Sequence, residues 1–322
     1  MANMNAAVVT SFEEPPRYQQ FEVPQATAGE QTLVDVLAVG LHPRVRSGAA
    51  GAHYTSTGRL PMIPGIDAVG RRPDGKRIYF LANDSVFGTM AEKALADERR
   101  AIELPDDVDA AAIAATMNPA MSAWVALRRR VAIEPGQSVL VLGATGSAGT
   151  TAVQVAKRLG AGRVIGAGRN LERLAALSTV GADAVVRLTQ DADETGQALA
   201  EAAADVDIVI DYLWGGPAEH SITALLSARR DRSRQLDWIQ IGAIAGPTIE
   251  LPSVALRSAN LRLQGSGQGA VSTETYRTEL PSLIQEVGAG AITLRAIPKA
   301  LAEVQTIWAT TDRPGERTVL MP

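Results

Sequence analysis

The chain has 322 residues, 46% of them hydrophobic and 20% charged, with a formal net charge of −4. The length fits two domains of ordinary size with cores to bury, and the mild acidity gives no electrostatic case for nucleic acid or an anionic membrane as a partner. No cysteine is present, so disulfides, thiol catalysis, iron–sulfur clusters and Cys-ligated zinc are excluded.

The first residues lack the basic start and long apolar stretch of a signal peptide. No run is read as reaching the roughly 18–20 apolar residues of a membrane span, and a cytoplasmic location is the expectation. The first third reads as short strands, such as Ala6–Val9 and Thr32–Val39, punctuated by prolines at 15, 16, 24, 43, 61 and 64. The character changes near residue 107. Asp109–Thr116 reads as an alanine-rich helix, and Asn118–Arg130 as a second one, because proline fits the first turn of a helix.

Strands and helices then alternate. Ser138–Leu142, Arg163–Ala167, Ala184–Val186, Val206–Ile210 and Trp238–Ile241 read as strands, with helices over Ser147–Leu159 and Leu171–Val180 between the first three. Helical stretches of ten or more residues between strands imply a parallel, doubly wound sheet. Toward the end, Thr275–Val287 and Ile297–Ala309 read as helices and Arg317–Met321 as a last strand that rejoins the first domain. Two short basic clusters, Arg128–Arg130 and Arg229–Arg234, read as solvated surface.

The most informative segment is Val139-Leu140-Val141-Leu142-Gly143-Ala144-Thr145-Gly146-Ser147-Ala148-Gly149. A buried strand runs into a glycine-rich turn and then a helix, as in dinucleotide sites. Gly146 lets backbone approach a pyrophosphate, Gly149 lets the helix pack on the strand, and free N–H groups at the helix start bind phosphate. The spelling Ala-x-Gly-x-x-Gly is weak alone, but strand, turn, helix and second strand fall within one short unit, the context the motif requires. That second strand ends Gly166-Ala167-Gly168-Arg169-Asn170, with no carboxylate for a ribose 2′-hydroxyl. Arg169, with Arg173 one turn on, suits a 2′-phosphate instead, which points to NADP(H). Tyr-x-x-x-Lys, P-loop and Gly-x-Ser-x-Gly patterns are all missing.

Further segments carry a resemblance. Leu60-Pro61-Met62-Ile63-Pro64-Gly65-Ile66-Asp67-Ala68-Val69-Gly70, Ala91-Glu92, Pro135–Val141, Gln154–Ala161, Gly181-Ala182-Asp183 and Asp207–Asp211 together resemble the zinc-free quinone oxidoreductase (zeta-crystallin-like) branch of the medium-chain dehydrogenase/reductase superfamily. The resemblance implies an α/β fold: a Rossmann doubly wound parallel sheet at 118–284, inserted in a GroES-like β-rich catalytic domain at 1–117 and 285–322. It places Gly146, Ser147, Ala148 and Gly149 at the pyrophosphate beside Gly143 and Thr145. Arg169, Asn170 and Arg173, following Gly168, take the 2′-phosphate positions. Gly242, Ala243 and Ile244 lie near the nicotinamide, and Asn118 and Ser122 on the helix bordering the cofactor. Tyr54 falls where relatives carry an active-site tyrosine. Leu261–Gly265 resembles the last Rossmann strand, which implies a homodimer.

The departures also inform. Zinc-dependent relatives carry Gly-His-Glu where this chain has Gly65-Ile66-Asp67, and His42-Pro43 replaces the usual Asn-Pro. His42, His53 and His220 are too scattered to suggest a site, so no catalytic metal is expected. The resulting expectation is an NADPH-dependent reductase of quinones or other electron-poor enones. A 2-enoyl thioester or alkenal reductase, suggested by Asn118–Ala123, and a non-enzymatic NADPH-binding regulatory or structural protein are the alternatives.

Overall fold

The computed structural model describes residues 2–53, 55–83, 85–267 and 269–322. The chain divides into two compact units, Met1–Asn118 with Thr273–Pro322, and Pro119–Ser272.

In the first unit, Asn3–Val8 pairs antiparallel with Arg17–Glu22. A seven-stranded sheet forms around the long strand Gln31–Gly40. On one side lie Glu316–Met321 and then Arg295–Ala300; on the other lie Asp67–Arg71, Arg77–Leu81 and Ala101–Glu103, with Lys93–Asp97 also paired to Gln31–Gly40. Val34, Val36, Ile63, Ile78, Phe80 and Met90 are buried in its core. The C-terminal strand therefore closes on a strand near the N-terminus, with Val319 opposite Gly40.

The second unit holds a six-stranded, wholly parallel sheet. Its strand order is Ala184–Arg187, Arg163–Gly168, Ser138–Leu142, Ile208–Asp211, Leu236–Gln240, Leu261–Gly265. Numbered along the chain, that order is 3-2-1-4-5-6, the doubly wound arrangement whose direction reverses between the first and fourth strands. Val139–Leu142 are wholly buried, as a parallel strand covered on both faces requires, and Trp238 fills the same core with Leu140, Ile165, Val209 and Leu225.

Four expectations from sequence need correction. The segment read as two helices is one, Ala110–Val125, which carries Pro119 inside and continues as a π-turn over Ala126–Arg130. Buried residues on both sides of the proline, from Ile113 to Leu127, hold the helix through the missing hydrogen bond. By length and composition Ala110–Arg130 is apolar enough to cross a membrane, but 78% of its most apolar window is buried in the protein, as in a core helix. Ile297–Ala309 is not one helix: Arg295–Ala300 is a strand, and only Val304–Ile307 is α-helical. Pro298 breaks a helix yet fits the edge of a sheet, and among the described residues that strand pairs on one side only, with Glu316–Met321.

The fourth correction is Arg229, which is not a surface residue. It is buried at the end of the helix Gly215–Ala228. Its Nη1 donates to the carbonyls of Ala204 and Val206 at 2.9 Å, and its Nη2 to those of Arg234 and Gln235. One planar guanidinium thus satisfies several carbonyls that would otherwise be left without donors.

Candidate dinucleotide site

The site is built in the second unit at the carboxyl ends of its strands. Gly143, just past Ser138–Leu142, has φ +83°, a left-handed conformation that favours glycine. Its N–H and that of Ala144 donate to the carbonyl of Ala167 on the neighbouring strand. The chain turns at Gly146 and enters the helix Ser147–Arg158 with no side-chain cap at its N-terminus. A helix begun without a cap leaves its first N–H groups for a bound anion.

The glycines divide by role. A β-carbon on Gly149 would lie 2.3 Å from the carbonyl oxygen of Gly143, so helix and turn touch there. A β-carbon on Gly146 would meet only that same oxygen, at 3.6 Å, and Gly146 is exposed. The open face of the turn is therefore at Gly146, flanked by the half-buried Thr145, Ser147 and Ala148. The cradle fits a pyrophosphate.

The neighbouring strand brings the basic residues alongside. A β-carbon on Gly168 would fall 2.6 Å from Thr145 Cγ2. Arg169 follows and is exposed, while Nη1 of the half-buried Arg173 reaches the carbonyl of Thr145 at 3.5 Å. Asn170 acts locally. Its side chain accepts from Arg173 N at 2.9 Å and so caps the helix Leu171–Ala176.

The next strand supplies a support whose role the sequence reading of Asp207–Asp211 does not give. Asp211, buried at the end of Ile208–Asp211, accepts from the N–H groups of Leu213 and Trp214 and from Trp238 Nε1. Burial pushes its carboxyl above the usual range, against those hydrogen bonds. The bonds hold Trp214 at φ +52°, a backbone conformation rare for a non-glycine residue. Beyond the adjacent strand Leu236–Gln240, Gly242 packs on this loop, since its β-carbon would lie 2.7 Å from Tyr212 O. Ala243 and Ile244 follow; Ala243 and Ile244 are exposed there. Ser122, on the long helix, donates to the carbonyl of Pro119 and pairs with the Tyr212 hydroxyl at 2.9 Å.

The structure thus assembles Gly143–Gly149 with Gly168–Arg173 in one unit, and links Ser122 to the turn at Gly242 through Tyr212. Asn118 belongs to the first unit, where its Nδ2 lies 3.5 Å from Asp67 Oδ1. Tyr54 lies outside the described residues.

The first unit also holds a buried polar chain. His42 Nε2 is 3.0 Å from Asp67 Oδ1, and the Tyr79 hydroxyl donates to Asp67 Oδ2 at 3.0 Å. Burial lowers the affinity of His42 for a proton, against the raising pull of Asp67, and burial also raises the Tyr79 hydroxyl well above its usual value. Spacing along the chain leaves His42 isolated, yet the fold pairs it with Asp67. The available signal is that both positions depart from the resembling pattern together. Among the described residues, no group of three or more His, Asp or Glu side chains is placed to hold a metal ion.

Comparison with known proteins bears on the whole chain. Residues 148–286 match the family described as zinc-binding dehydrogenase. A probable NADPH-dependent quinone reductase of Emericella nidulans is 31% identical, with 99% of this chain and 100% of the relative covered. This chain belongs to the quinone oxidoreductase branch of the medium-chain dehydrogenase/reductase superfamily. Within that superfamily, its fold is the Rossmann sheet inserted in a GroES-like β-rich domain. The quinone oxidoreductase of Thermus thermophilus, solved alone and with NADPH, superposes with a TM-score of 0.79 at 25% identity, over 99% of this chain and 100% of that one. A putative NADPH:quinone reductase of Bacillus thuringiensis shares the fold, with a TM-score of 0.82 at 19% identity over 100% of both chains. A 2-methylene-furan-3-one reductase of tomato, Solanum lycopersicum, is 25% identical over 50% of this chain and 46% of the relative.

Proposed function

We propose that this chain is an NADPH-dependent oxidoreductase that reduces a quinone or another electron-poor enone without a metal. The observation that carries the reading is the open turn at Gly146 beside a strand that ends in Arg169 rather than a carboxylate. N–H groups at Ser147, Ala148 and Gly149 would hold the pyrophosphate, with Gly143 and Thr145 shaping the turn. Arg169 and Arg173 would hold the 2′-phosphate beside Asn170. Gly242, Ala243 and Ile244 would border the nicotinamide. The named relatives from Emericella and Thermus support the same cofactor.

NADPH, when bound, supplies a hydride. The protein must place a flat acceptor against it and manage one proton. Such positioning is worth about 7–11 kcal/mol, against about 10²–10⁴-fold from a general acid, so positioning dominates. Tyr54 is the donor proposed for the acceptor oxygen, and Asn118 lines the site. The side chains available support metal-free chemistry: the chain has no cysteine, and Ile66 stands where zinc-dependent relatives carry histidine. Quinones and enones need no Lewis acid, because conjugation carries the developing charge onto oxygen.

In this reading residues 118–284 form the NADP-binding domain and residues 1–117 with 285–322 the catalytic domain. The protein works in the cytoplasm as a homodimer joined through the edge strand Leu261–Gly265. Turnover of a panel of quinones, alkenals and enoyl thioesters with NADPH tests the acceptor class. Preferential turnover of quinones supports the reading, and turnover confined to enoyl thioesters replaces it.

A further inference from the structure

The feature that neither the motifs nor the named relatives account for is Tyr212. It follows Asp211 directly, at the carboxyl end of the fourth strand of the sheet. In a doubly wound sheet the ligand crevice opens where strand order reverses, here between the ends of Ser138–Leu142 and Ile208–Asp211. Tyr212 stands on one lip of that crevice and Gly143 on the other. A β-carbon on Gly143 would lie 3.3 Å from Tyr212 Cβ. Tyr212 also carries the turn after the next strand, since its carbonyl accepts from Ile244 N. The bonds to Asp211 fix the loop from below.

The direction of the hydrogen bonds decides what its hydroxyl can do. Ser122 has one hydroxyl proton, and the carbonyl of Pro119, 2.9 Å away, can only accept it. The Tyr212 hydroxyl, 2.9 Å from Ser122 Oγ, must therefore donate to that oxygen. Burial holds the phenol protonated far above neutral pH. With its proton committed, Tyr212 Oη offers only lone pairs, so it cannot protonate an acceptor and suits a ligand N–H or O–H donor. Tyr212 is half-buried.

We propose that Tyr212 is a nicotinamide-positioning residue whose Oη, oriented by Ser122, accepts a hydrogen bond from the N–H₂ of the nicotinamide carboxamide. This rests on the reading of the turn as a dinucleotide site. The amide N–H₂ is the donor that the nicotinamide ring carries, and fixing it would set which face of the ring is presented.

The test is equilibrium binding of three ligands to the full chain and to Tyr212→Phe. The ligands are NADPH, its 3-acetylpyridine analogue (which has a methyl in place of the amide nitrogen) and adenosine 2′,5′-bisphosphate. Wild type is expected to bind NADPH about 5-fold more tightly than the analogue, the worth of one hydrogen bond. Tyr212→Phe should lose that preference and bind adenosine 2′,5′-bisphosphate as wild type does. Ser122→Ala, which frees the Tyr212 proton, should show a partial loss. Equal weakening of NADPH and the analogue in Tyr212→Phe, or an unchanged preference, overturns the proposal alone. Failure of wild type to bind adenosine 2′,5′-bisphosphate overturns the dinucleotide reading and this proposal with it.

Discussion

A β-carbon on Gly149 would sit 2.3 Å from Gly143 O, inside the protein, whereas the same atom on the exposed Gly146 would come only within 3.6 Å of that oxygen. Two glycines of one motif therefore do different things, one packing the helix on its strand and the other leaving the turn open on its exposed side. Gly146→Val should fold with near-normal thermal stability and lose NADPH binding by at least about tenfold, because its side chain occupies the phosphate's place. Gly149→Val should lose stability first, with backbone forced apart. Titration with NADPH alongside thermal melts separates the two; equal melting temperatures for both variants would contradict this division.

Arg169 is exposed beside the turn, and its strand ends without a carboxylate. Arg169→Ala should raise the KM for NADPH by about tenfold or more while leaving that for NADH nearly unchanged, since a charge-assisted bond is worth about 1.5–3 kcal/mol. Steady-state kinetics with both cofactors checks this. Equal effects would remove the 2′-phosphate assignment.

His42 predicts a pH dependence of stability. Burial lowers its pKa in the folded protein below the ordinary 6.5. Between those two values the unfolded chain binds a proton that the folded chain does not, so stability falls as pH falls, by up to about 1.4 kcal/mol per pH unit. Above pH 6.5 the contribution is flat. His42→Asn should flatten the profile of denaturant stability below that pH. A variant that keeps the full slope would place its origin elsewhere.

Arg229 predicts a stability effect where a surface charge run would give none. Removing its guanidinium leaves the carbonyls of Ala204, Val206, Arg234 and Gln235 short of a donor. Arg229→Ala should cost about 2–4 kcal/mol in denaturant unfolding. Arg229→Lys should not restore it, because an ammonium lacks the planar fork. A loss under about 0.5 kcal/mol, the range of ordinary surface substitutions, would return Arg229 to the class of surface charges.

These residues also show what is legible in the chain itself. The turn from Gly143 to Gly149 can be read because strand, glycine spacing and helix follow one another locally. The placement of Arg169 beside that turn can be read because it depends on one neighbouring strand. The helix through Pro119 and the strand at Pro298 escape a local reading, because proline rules lose to burial in one case and to strand pairing in the other. Arg229 looks like part of a charge run, since its carbonyl partners Ala204 and Val206 lie 25 and 23 residues away. His42 with Asp67, and Ser122 with Tyr212, are pairs 25 and 90 residues apart. No spacing rule joins such pairs; only the sheet topology brings them together.

The central claim is metal-independent hydride transfer from NADPH to an electron-poor acceptor. Its most direct test is the oxidation of NADPH by a quinone, followed by absorbance of the reduced nicotinamide, on protein dialysed against a strong chelator and on untreated protein. The account predicts turnover at the same rate in both. Activity that the chelator abolishes and zinc restores, or no turnover of any quinone or enone, would contradict it.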